Sequence, residues 1–236
     1  MMNKQDMVKI IKKAMSANRK SLSEPETKAL ISAWGIPVPK TALIKKQEEI
    51  AAATKNLNPP FVLKVVSPDI LHKSEIGGVK TELKDAEEIN KAWAKMIIDI
   101  KDKSPKHRID GFLLEEMAPK GVEVIIGALR DPQFGPAVMF GIGGIAVELM
   151  KDVSYRLAPI NKKYALDMIR EVKSYPLLTG FRGSKPVDLE NIASVIIKLS
   201  EILIKIEDIK EIEINPLIVY EKGVMAVDAR VVLNSI

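Results

Sequence analysis

A chain of 236 residues with 47% hydrophobic content is long enough to bury a substantial core, as one large domain or two packed subdomains, and too apolar for general disorder. It contains no cysteine, which excludes a disulfide framework, a thiolate metal site and a cysteine nucleophile, and fits a cytoplasmic protein. Lysine plus arginine exceed aspartate plus glutamate by 36 to 31, but the lysines are scattered among acids and aromatics are only 5%; no nucleic-acid stripe stands out, and anionic small molecules explain the +5 as well.

The opening residues, MMNKQDMVKI, lack an apolar signal core, and no apolar run approaches the roughly 18 residues that a membrane helix needs, so no membrane partner is expected. Met7, Ile10, Ile11, Ala14 and Met15 recur at helical spacing and predict an N-terminal amphipathic helix, whose stripe packs on the chain's own core or on a partner. Ser23 with Glu26 forms a capping box with Pro25 in the first turn, opening a helix that Gly35 ends. A short strand over Thr41 to Ile44 and a helix over Gln47 to Lys55 follow.

The next stretch, FVLKVVSPDILHKSEIGGVKTEL, carries chemistry. Phe61-Val62-Leu63 reads as a buried strand that delivers Lys64 to its end, where a cation can meet phosphate. A Ser67-Pro68-Asp69 turn leads to His72, and Gly77-Gly78 leads into a second strand, Val79 to Leu83. Neutral imidazole attacks phosphorus competently and is well populated near pH 7, so His72 can carry a phosphoryl group; the alternative is an ordinary polar loop residue.

Asp85 with Glu88 repeats the capping box before a helix lined by Ile89, Ala92, Trp93, Met96, Ile97 and Ile100. The charged segment Lys101 to Arg108 is the expected boundary between a subdomain over 21–108 and another over 109–236, with the helix of 1–20 set apart; His107 within it reads as a solvated loop residue. Strands are expected over 112–117, 122–129, 137–140, 145–150 and 153–160, with Glu116 and Glu123 flanking the first loop. Gly141-Ile142-Gly143-Gly144 is a ligand approach or, more commonly, a tight turn. A helix over 163–172 precedes the irregular YPLLTGFRGSKPV with Arg182, and Asp188 caps a long helix.

Two strands, 211–220 and 224–233, close the sequence as a hairpin. If Tyr220 pairs with Gly223, Asn215 falls opposite Asp228, and directly opposed side chains have Cβ atoms about 5 Å apart. Two such oxygen donors suit Mg2+ that takes its remaining ligands from water and phosphates. In the same register Glu213 either supports that metal or pairs with Arg230 across the strands.

Lys64, Gly77-Gly78-Val79-Lys80, and Glu213-Ile214-Asn215-Pro216-Leu217 with Asp228 resemble the nucleotide-binding part of succinyl-CoA synthetase beta subunits, an ATP-grasp fold. Through SPDILHKSEIGGV, LRDPQFGPAVMFGIGG and LTGFRGSKPVDL, essentially the whole chain resembles the separate beta subunit of ADP-forming acetyl-CoA synthetases. The resemblance implies an α/β (α+β) fold of two ATP-grasp subdomains clamping ADP or ATP. Lys64 would contact the phosphates, Glu116 and the Met117 backbone the adenine, Glu123 the ribose hydroxyls, and Asn215 with Asp228 the Mg2+.

His72 matches the family's second phosphohistidine, which a swinging loop carries from an alpha subunit to ADP. CoA binding and acyl transfer would then lie on that alpha subunit in an α2β2 heterotetramer, the whole converting acyl-CoA, ADP and phosphate to acid, CoA and ATP. Two other readings are a free-standing ATP-grasp ligase working through an acyl phosphate, and a non-catalytic nucleotide sensor; His72 speaks against both.

Overall fold

The computed structural model describes residues 4–70, 73–103, 106–143 and 152–234. Helices α1 (Lys4–Ser16) and α2 (Glu24–Ala33) open the chain. Met7, Ile11 and Ala14 of α1 are fully buried, so its apolar stripe packs on the chain's own core. At the start of α2 the Ser23 backbone N–H and hydroxyl both donate to Glu26 Oε2, at 2.8 and 2.9 Å, and Arg19 donates to both Glu26 oxygens. Gly35, at φ +74°, supplies the left-handed turn that stops the helix.

Residues 39–119 form one compact unit. Strands β1 (Thr41–Ile44), β2 (Phe61–Val66), β3 (Val79–Leu83) and β4 (Gly111–Glu116) make an antiparallel sheet in the order β1-β4-β2-β3. Helices α3 (Ile50–Thr54) and α4 (Ala86–Lys103) cover one face. Ile89, Trp93, Met96 and Ile100 of α4 share a core with Phe61, Leu63, Val65, Phe112 and Leu114, the alternate residues of the two central strands.

Residues 1–38 and 120–236 form the other unit. Its sheet runs β10 (Ala229–Leu233), β8 (Ile209–Val219), β5 (Val122–Asp131), β6 (Gly135–Ile142), β7 (Val153–Leu157), with β9 (Val224–Ala226) also on β8. Helices α5 (Lys162–Glu171) and α6 (Leu189–Lys205) bury their apolar stripes on one face. Each fully buried Ile or Leu of α6 is worth about 1.5–3 kcal/mol, and this helix buries Ile192, Ile196, Leu199, Ile202 and Leu203 on that face. Val124, Ile126, Ala128, Ile212, Ile214, Ala229 and Val231 belong to the same core, so the residues between them form the opposite face.

These units differ from the expected division at 20 and 108. Strand β4 pairs with both β1 and β2, so 111–116 belongs with the smaller sheet, and Lys101 to Lys103, the start of the charged run, are the last residues of α4. Helices α1 and α2 stay with the larger unit because Leu22 N–H donates to Val231 O at 3.1 Å and Ser21 bridges Val232. The strand expected over 145–150 lies outside the described residues. Among the described residues no helix is long and apolar enough to cross a membrane.

Candidate functional site

In the smaller unit, Val62, Lys64 and Val66 alternate with the core residues of β2 and therefore occupy the sheet face that α4 does not cover. Lys64 lies in mid-strand, because β2 runs on through Val66; the strand end expected after Leu63 comes two residues later than Lys64. Its ammonium meets Glu115 Oε2 at 3.0 Å, with the two side chains only 6% and 1% exposed. The register Lys64↔Leu113 sets Glu115 opposite Val62, two residue pairs along and on the same face.

A buried ion pair gives little net stability, since desolvation offsets the attraction. Apolar residues fill the neighbouring positions Val62, Val66 and Leu113, so retaining two charges there points to use of the cation rather than to packing.

Glu116 points the other way along β4's alternation and accepts the N–H and Nδ2 of Asn58 at 3.0 and 2.8 Å, with Lys40 Nζ at 3.6 Å. The Met117 N–H donates to Pro60 O at 2.8 Å. That donor is engaged within the fold, so the Met117 backbone group suited to a base's amino group is its carbonyl.

In the larger unit, Glu123, Glu213, Asn215 and Asp228 share the face opposite α5 and α6. The Tyr220 N–H donates to Gly223 O at 3.1 Å and the Asn215 N–H to Asp228 O at 3.0 Å, so these two residues stand opposite each other as the hairpin register predicts. Pro216 has no N–H, and the β5 ladder shifts register there: Val124 pairs with Leu217 but Ile126 with Ile214. This bulge beside Asn215 bends the strand at the point where the polar side chains gather.

Arg230 is opposite Glu213 in register, yet its guanidinium pairs with Glu211 at 2.5 Å. The long side chain reaches its diagonal neighbour, so of the two alternatives for Glu213 the pair with Arg230 is not the one formed. Glu213 instead has Oε1 at 3.5 Å from Asn215 Nδ2. Asn215 and Asp228 are hard oxygen donors, a fit for Mg2+. No group of three or more His, Cys, Asp or Glu among the described residues is placed to hold a metal, so such an ion would need phosphate oxygens as well.

One contributor was not singled out in the sequence, and another was read only as part of a glycine run. Glu115 is hidden in a Glu-Glu doublet, although strand alternation separates its face from that of Glu116. Gly143 donates to Glu123 O at 2.7 Å, and a Cβ there would lie 3.1 Å from the Glu123 backbone, so this glycine serves a close chain approach that fixes Glu123. His107 is exposed in a loop, as expected, and His72 lies outside the described residues.

Residues 13–233 match the family model described as an ATP-grasp domain. The subunit beta of acetate-CoA ligase (ADP-forming) I from Pyrococcus furiosus is 48% identical over 224 residues, 95% of this chain and 96% of that one. Acetate-CoA ligase (ADP-forming) I from Archaeoglobus fulgidus is 41% identical over 205 residues, 87% of this chain but 30% of its own length.

Acetyl-coenzyme A synthetase 1 of Ca. Korarchaeum cryptofilum, solved with coenzyme A and Ca-AMPCP, superposes at a TM-score of 0.94 with 49% identity, covering 96% of this chain and 99% of that chain. The same synthetase is known with a phosphorylated phosphohistidine segment in a site I orientation (TM-score 0.90, 47% identity, 97% and 100% coverage). With Mg-AMPPCP the segment points towards the nucleotide binding site (TM-score 0.85, 46% identity, 97% and 100% coverage).

Proposed function

The chain belongs to the ATP-grasp family, among the beta subunits of ADP-forming acetate-CoA ligases, and from that premise we propose that it is the subunit that passes phosphate through a phosphohistidine to ADP. The observation that carries this reading is the register that sets Asn215 opposite Asp228, in a chain of which 95% aligns with such a subunit. The overall reaction is acyl-CoA, ADP and phosphate to acid, CoA and ATP.

Lys64 contacts the nucleotide phosphates, and the Met117 carbonyl with Glu116 the adenine edge. Glu123 takes the ribose hydroxyls, and Asn215 and Asp228 hold Mg2+, which neutralises phosphate charge when bound. His72, assigned from its sequence position, carries the phosphoryl group. As a β-phosphate oxygen of ADP bonds phosphorus in line, the P–N bond breaks and imidazole recovers its electron pair; positioning and charge neutralisation supply most of the catalysis.

CoA binding and acyl transfer reside on an alpha subunit, in an assembly we place in the cytoplasm. In the Archaeoglobus relative the match spans 30% of the polypeptide, which leaves length there for further parts. Incubation with ATP labelled at the γ-phosphate tests the reading. The chain should take up label that acid removes and alkali spares, and His72→Asn should bind ADP with Mg2+ nearly as the parent does but take up none. Acid-labile label on His72→Asn would remove the assignment.

A further inference from the structure

The reach of a phosphohistidine is set by where its segment is tied to the fold, and the described residues on either side of His72 show the ties. Asp69 N–H donates to Ser67 Oγ at 3.1 Å, and Asp69 Oδ2 accepts the backbone N–H of Arg108 at 2.9 Å. Arg108 in turn donates through its guanidinium to both Asp110 oxygens at 2.7 and 3.1 Å, and the Asp110 N–H donates to Val66 O at 2.8 Å. The loop that receives Asp69 is thus itself tied to the end of β2. Ile70, the next residue, is buried at 7% exposure in the unit's core.

On the other side, backbone bonds close a turn. Gly78 N–H donates to Lys73 O at 2.7 Å and Gly77 N–H to Ser74 O at 3.1 Å. The turn meets the rest of the unit through Val65 N–H to Gly78 O at 2.8 Å, through partly buried Ile76, and through Lys103 Nζ at 3.4 Å from Glu75 O, a long contact. Ahead of the histidine the chain is thus attached to the body of the unit, and among the bonds described there the side-chain bond comes from Asp69. A carboxylate accepting a backbone N–H is a charge-assisted bond, stronger than a neutral one.

We propose that Asp69 is a positioning residue for phosphoryl transfer: by holding the Arg108 N–H it fixes the chain three residues ahead of His72 and sets the point from which the imidazole is presented. The inference rests on the reading of His72 as the phosphohistidine. Asp69 touches none of the residues assigned to nucleotide or metal, so its loss acts on the presentation of the imidazole and not on nucleotide affinity.

Single-turnover labelling of the full chain with ATP and Mg2+ is the test. Asp69→Ala is expected to slow phosphoenzyme formation at least about tenfold, since a displacement near 1 Å can cost about a hundredfold. The half-saturating ATP concentration should stay within about twofold, the signature of a loss confined to the transition state. Asp69→Asn keeps an oxygen that accepts the Arg108 N–H and should recover most of the rate.

Labelling of Asp69→Ala at the parental rate overturns the proposal. So does an Asp69→Asn variant as slow as Asp69→Ala, or a loss of ATP affinity that matches the loss of rate. A parent chain that takes no acid-labile label overturns the phosphohistidine itself and this proposal with it, an outcome distinct from a labelled parent beside an equally labelled variant.

Discussion

At the scale of single residues, the Lys64–Glu115 pair separates stability from function. Lys64→Met leaves Glu115 buried without its 3.0 Å partner, and breaking such a pair costs about 3–5 kcal/mol. The double variant Lys64→Met, Glu115→Leu should recover most of that loss in urea unfolding yet remain unable to take phosphate from ATP. Recovery of labelling along with stability would show that the cation is structural. Asp228 makes the opposite case: it is only partly buried, and its Oδ1 accepts no more than the adjacent Ala229 N–H at 2.8 Å among the bonds described. Asp228→Asn should raise the Mg2+ concentration needed for labelling several-fold while the melting temperature stays near the parental value, because removing one anionic oxygen weakens a site with few protein ligands. Unchanged Mg2+ dependence would take Asp228 out of the ligand set.

At the scale of elements, the turn between β2 and β3 depends on Gly78. A Cβ there would come within 2.6 Å of Val65 Cγ1 and 2.9 Å of Lys73 O, and the second of these is backbone that cannot rotate away. Gly78→Ala should therefore destabilise the protein by about 1–3 kcal/mol, the usual cost of overpacking, measured by denaturant midpoint; an unchanged midpoint would mean the turn adjusts freely. At the start of α6, Asp188 joins the helix to the β8–β9 hairpin by accepting Gly223 N–H at 2.8 Å and Asn191 N–H at 3.0 Å. The Gly223 bond, ahead of opposing desolvation, holds the Asp188 carboxyl below its ordinary value. A carboxyl depressed by folding adds stability above its unfolded pKa and loses it as pH falls through the folded one. The melting temperatures of the parent and of Asp188→Asn should thus converge on acidification below the ordinary aspartate range; a constant gap would rule out titration of this carboxylate as the cause.

At the scale of the whole molecule, the chain matches 96% of the Pyrococcus subunit beta and 30% of the Archaeoglobus ligase. The purified chain is expected to exchange phosphate with nucleotide slowly by itself, and to show no CoA-dependent ATP synthesis until an alpha subunit is added. Acyl-CoA-driven ATP formation by this polypeptide alone would refute that division of labour.

Local order was the part legible in the sequence, because its determinants lie within a few residues of one another. The Ser23–Glu26 capping box, the α6 stripe and the Asn215–Asp228 pairing all follow from short-range rules, the last because a two-residue turn after Tyr220 leaves the hairpin one register. Pairings between distant segments had no such signal. That β4 joins β1 and β2, that Glu115 is the buried partner of Lys64, that Arg230 reaches Glu211 and that Gly143 packs on Glu123 depend on which strands become neighbours. The same holds for the unit boundaries, which follow strand partners rather than the charge run at Lys101 to Arg108. Sequence alone determined the local elements and their caps; tertiary structure decided which side chains meet, because burial and strand pairing are settled by the packing of the chain as a whole.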